Sequence, residues 1–180
     1  MRSVFIVAAL ALAAPALAQD TIAPADASAS SLRLFGIATG YVTKSAEKMP
    51  EEHYAFRPTP DVRSYGQLIG HIADAQYAIC AIALGDKPPV EGIEKTKTTK
   101  AELTKALADA FAYCNKAHET LGGPKGAEII DGLRGKHPRV GMLYFNTMHT
   151  FEHYGNVITY LRMKGIVPPS TEGQQRPSGQ

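Results

Sequence analysis

The stretch TKAELTKALADAFAYCNKAHETLGGP, residues 99–124, decides the fold. Leu103, Leu107, Ala110, Cys114, Ala117 and Leu121 recur at spacings of three and four, so they share one stripe of an α-helix, with charged and polar residues set between them. Thr99 and Glu102 stand in the capping-box relation, in which hydroxyl and carboxylate each satisfy an amide left free at the helix start. Gly122-Gly123-Pro124 closes the segment, because glycine is favoured just past a helix end and proline cannot continue one.

Three more segments follow the same pattern. Upstream, Phe35, Ala38, Val42, Ala46 and Met49 form the stripe of a first helix, with Ser28 or Ser30 available to cap its start and Pro50 to end it. Residues 51–63 contain Pro58 and Pro60 and read as an ordered connection. A second helix carries Leu68, Ile72, Ala75, Ile79 and Ile82, and Gly85-Asp86 with Pro88-Pro89 stops it. Downstream of the quoted stretch, the Gly-rich run to Pro138 reads as loop, and a long fourth helix extends from about Arg139 to Lys164 before Gly165 and Pro168-Pro169. Four long helices with few strand signals predict an all-α fold, an antiparallel four-helix bundle over residues 30–167. Residues 19–29 are expected to be a flexible leader, and 168–180 a disordered tail.

The first residues have a different character. Arg2, the apolar run Val4 to Ala14, Pro15 and the triplet Ala16-Leu17-Ala18 before Gln19 read as a secretory signal peptide, residues 1–18. The run falls short of the roughly 18 apolar residues that span a bilayer, so no stable membrane anchor is expected. The expected destination is exported, periplasmic or secreted. A net charge of +2 gives no electrostatic case for nucleic acid. Cys80 and Cys114 are the only cysteines, and in an oxidising compartment they have one possible pairing. A Cys80–Cys114 disulfide is predicted, on condition that the helices shift enough to bring the α-carbons within about 7 Å. Otherwise they remain two buried thiols.

The fourth helix holds His149 and His153, four residues apart and so separated by about 400° of rotation, which aims both imidazoles the same way one turn apart. That spacing suits two ligands of one ion. A third must come from elsewhere, and His71 lies on the apolar side of the second helix between Leu68 and Ala75. Gly70 beside it costs a helix about 1 kcal/mol relative to alanine, a cost that fits a place of close approach beside a site. Asn156 and Tyr160 share the histidine face and are candidates to orient substrate, and Glu152 is the candidate general base. His53, His118 and His137 are expected at the surface. Reading His149-Thr150-Phe151-Glu152-His153 as a protease motif fails, because the acidic ligand it needs downstream has no place in the short remaining tail.

The run Arg63-Ser64-Tyr65-Gly66-Gln67-Leu68-Ile69-Gly70-His71 resembles one signature region of the DinB-like (damage-inducible DinB/YfiT-like) superfamily. His149 through Asn156, with Tyr160 to Pro169, resembles the other, and Phe56-Arg57-Pro58-Thr59-Pro60 is similar to its link into the second helix. The resemblance covers about 30–170. It implies that His71, His149 and His153 are the metal ligands of a four-helix bundle of a kind that is often a homodimer, within a superfamily that includes thiol-dependent transferases. Three imidazoles without a cysteine or a clear fourth ligand predict one divalent ion, zinc or nickel. Glu152 departs from the pattern, standing where many members place a histidine. The expected function is that of a metal-dependent hydrolase or transferase acting on a small molecule, hydrolysis being favoured because free thiols are scarce in an oxidising exterior. The alternative is a non-enzymatic metal- or ligand-binding module.

Overall fold

The computed structural model of the protein describes residues 24–172, with side chains from 29 onward. The signal-peptide reading and the end of the tail therefore lie outside the described residues. The elements are α1 (Pro24–Lys48), α2 (Tyr65–Leu84), α3 (Ile93–Thr96), α4 (Lys100–Thr120), β1 (Ile129–Gly132), β2 (Gly135–Pro138), α5 (Arg139–Met163) and α6 (Pro169–Glu172).

The capping box expected at Thr99 and Glu102 starts α4. An equivalent box starts α2, where the Ser64 hydroxyl accepts from the Gln67 amide at 3.2 Å and the Gln67 side chain accepts from the Ser64 amide at 2.9 Å. Gly85 ends α2 at φ +83°, a left-handed conformation that glycine adopts without steric cost.

The four long helices pack in a cycle: α2 against α4 and α5, and α1 against the same two. Every member of the α4 stripe from Leu103 to Leu121 is buried in their shared core, as are Phe35, Val42, Met49, Ile69, Ile72, Leu143 and Leu161. Burying one such large apolar side chain contributes ~1.5–3 kcal/mol, and this core is the main source of stability. Cys80 and Cys114 are joined, with α-carbons 5.5 Å apart, so α2 and α4 do take the offset the bridge requires. On α2 the burial extends well beyond the expected stripe, because α3, α4 and α5 cover it from several sides, while Ala75 and Ile82 are only half-buried.

Several expectations need correction. The helix reaches back to Pro24, into the segment expected as leader, so Ser28 and Ser30 fall inside it. Proline is well suited to a first helical position and alanine propagates a helix, which accounts for the earlier start. The loop expected before Pro138 contains an antiparallel hairpin pairing Ile129 with Pro138 and Gly132 with Gly135, its turn using Arg134 at φ +65°. Within the expected tail, residues 169–172 form α6, held where the Tyr154 hydroxyl accepts from the Ser170 amide at 3.0 Å and where Lys48 pairs with Glu172. His118 is buried rather than exposed, while His53 and His137 are half-buried.

Candidate metal centre

The three histidines meet where α2 faces α5. Their Nε2 atoms converge: His153 Nε2 lies 3.0 Å from that of His149 and 3.1 Å from that of His71. One potential ligand atom from each falls within 4.8 Å of the others. The i, i+4 spacing on α5 supplies two rings on one side, and α2 supplies the third across the helix interface.

Burial disfavours protonation of these rings and so favours the neutral state, in which imidazole binds metal. Burial lowers the basicity of His71 first, with Arg63 adding to it and Glu94 opposing. His149 is lowered by burial and then by His71, with Glu152 opposing. His153 is pushed down to about 4 by burial, then by the other two histidines and Arg63. Three neutral rings that bring Nε2 atoms together leave lone pairs facing one another, more than single protons between pairs can satisfy. A cation bound by three Nε2 atoms resolves that conflict, so the donor set fits a divalent ion.

The far side of each ring differs. His71 Nδ1 has both the Glu94 carboxylate and the Arg63 guanidinium at 3.3 Å. The Asn156 amide lies 3.4 Å from His153 Nδ1, and with the amide turned its oxygen accepts a hydrogen bond from Nδ1–H. His149 Nδ1 is buried without a partner among the described residues.

Beside the histidines opens a cavity of ≈ 620 Å³, walled by Arg57, Arg63, Gln67, Asn156 and Tyr160 and reaching His153. Of the residues expected to act on substrate, Asn156 and Tyr160 are therefore at the cavity, the latter donating from its hydroxyl to the Arg63 carbonyl at 2.7 Å. Glu152 is exposed and does not line it. Sequence reasoning missed Arg63 and Glu94. Arg63 was within the quoted signature, but Glu94 lies in a polar stretch with no periodicity to mark it.

The family model for the DinB superfamily matches residues 35–157, and the chain belongs to that superfamily. Two solved structures share the fold. One is a DinB-like protein from Bacillus subtilis, 22% identical, covering 76% of this chain and 92% of its own, with a TM-score of 0.62. The other is a mutant of the mycothiol-dependent maleylpyruvate isomerase, 11% identical, covering 72% of this chain and 60% of its own, with a TM-score of 0.60. No curated protein matches.

Proposed function

We propose that this protein is a metal-dependent enzyme acting on a small molecule, in which His71, His149 and His153 hold one divalent ion, zinc or nickel. The observation that carries the reading is the convergence of three histidine Nε2 atoms beside an open cavity. An ion held by three imidazoles supplies a Lewis acid with a coordination position left for substrate or water. The chain's own groups have distinct duties: Asn156 steadies the His153 ring, Tyr160 braces the Arg63 backbone, and Arg57 and Gln67 offer hydrogen bonds to a ligand in the cavity.

The same reading includes export by residues 1–18, an antiparallel arrangement of the four helices and a homodimer. Export favours hydrolysis over thiol transfer, although one structural neighbour is a mycothiol-dependent isomerase. The test is to load the purified protein with zinc or nickel and assay esters, amides, lactones and phosphoesters, with His149→Ala as the blank. Turnover above that blank is expected.

One observation favours a second reading, a binding module without catalysis: Glu152, the sequence-derived general base, lies outside the cavity wall. Turnover equal to the His149→Ala blank on every substrate, with stoichiometric metal bound, would decide for that module. In the enzyme reading, Glu152→Gln lowers turnover without changing metal content.

A further inference from the structure

His71 Nδ1 lies between two groups of opposite demand. The Arg63 guanidinium can only donate a hydrogen bond, and the ionised Glu94 carboxylate can only accept one. Both stand 3.3 Å from the same nitrogen. If Arg63 prevails, the proton sits on Nε2, directed at His153, and the ring cannot ligate. If Glu94 prevails, the proton sits on Nδ1 and the Nε2 lone pair is free. Arg63 also donates from Nε to Glu94 at 2.9 Å, so it can satisfy its charge on the carboxylate without the ring.

Glu94 is held with more care than a solvated loop residue needs. It lies on α3, a helix of four residues, too short to stand without support. Asp74 provides that support from α2, its two carboxylate oxygens accepting from the amides of Ile93 and Glu94, each at 2.9 Å. Gly70 permits the contact, because a Cβ there would meet the Glu94 α-carbon at 2.7 Å. Gly70 and Asp74, which seat Glu94, and His71, which receives its carboxylate, thus lie within five consecutive positions of α2.

We propose that Glu94 is a positioning residue, seated by Gly70 and Asp74, that fixes His71 in the Nδ1–H tautomer and so presents Nε2 to the ion. The proposal rests on the metal reading above for its purpose, but the tautomer can be read without metal.

Two measurements on the full chain test it. Side-chain ¹⁵N–¹H spectra of the metal-free protein should show His71 protonated on Nδ1 in the wild type and on Nε2 in Glu94→Leu. Zinc affinity, measured by chelator competition, should fall ~10–100-fold in Glu94→Leu. Glu94→Gln, which keeps an acceptor without the charge, should fall between. Asp74→Ala keeps Glu94 but frees α3, and should weaken zinc in the same direction. A wild-type His71 protonated on Nε2, or a Glu94→Leu affinity within twofold of wild type, would overturn the proposal. Wild-type protein that binds no zinc would sink the metal reading alone, while the tautomer change would still support the hold of Glu94 on His71.

Discussion

Helix α2 turns two unlike faces to its neighbours. Toward α4 it offers apolar side chains and Cys80, bridged to Cys114 within a stripe that excludes water. Toward α5 it presents His71 and, one helical stretch further on, the fully buried Gln76. Gln76 donates to the Thr150 hydroxyl at 2.9 Å and accepts from the Asn146 amide at 2.7 Å. Buried polar groups add little net stability and cost much when left unpaired, so an apolar α5 face would serve a mere scaffold better. The difference teaches that α2 keeps its disulfide and its candidate metal ligand on different interfaces, although the Asn146 amide also lies 3.4 Å from Cys114 Sγ.

The separation can be broken most directly at the histidines. His153→Ala removes the central nitrogen of the three and should weaken zinc binding about a thousandfold or more, which is about 4 kcal/mol. Chelator competition measures the affinity, and thermal unfolding of the metal-free variant should show no loss of Tm. A large drop in Tm would mean that the α5 face is also structural and that the two interfaces are not distinct.

The converse experiment acts on the α4 face. Replacing Cys80 and Cys114 together by Ala opens a loop with a sequence separation of 34 and should cost about 3–4 kcal/mol, seen as a shift of the urea midpoint. Zinc affinity should stay within twofold of wild type. If it falls together with stability, the disulfide is setting the register of the site and the comparison has to be redrawn.

The two faces were also unequally legible in the sequence. The α4 stripe could be read residue by residue, because its apolar spacing is periodic and every member is buried. The i, i+4 pair on α5 and the apolar setting of His71 were legible for the same reason. Glu94 was not, since its role depends on a backbone contact with Gly70 and on the Asp74 clamp, and neither leaves a periodic trace. The hairpin was missed because Gly132 and Gly135 dominate a run whose only strand signal is Ile129-Ile130. Glu152 marks the limit of reading by adjacency: the residue before a ligand points about 100° away from it on a helix, and its side chain is exposed.

His118 sharpens the comparison from a third interface. It is buried where α4 meets α1, its ring stacked on Phe35 at 4.6 Å and its Nδ1 3.4 Å from the Ser31 hydroxyl, while Nε2 has no partner among the described residues. Like the site histidines it is held neutral, burial pushing it down to about 4. Unlike them it has no second imidazole beside it among the described residues, so burial without convergence should give a pH-dependent core residue and no ligand. The sign follows from linkage. An imidazole that titrates near 6.5 when unfolded and near 4 when folded takes up its proton first in the unfolded chain, so its contribution is complete above about 6.5 and is lost as pH falls toward 4. Between pH 7 and 5 the loss should be about 2 kcal/mol. Because the site histidines add acid sensitivity of their own, the informative quantity is the difference between wild type and His118→Phe, which keeps the stack on Phe35 and removes the titrating nitrogen. Urea unfolding at the two pH values should show the variant losing about 2 kcal/mol less than wild type, with zinc affinity at pH 7 unchanged. Equal losses in the two proteins would mean that His118 is not held neutral in the fold, and burial would then say less about a histidine than the company it keeps.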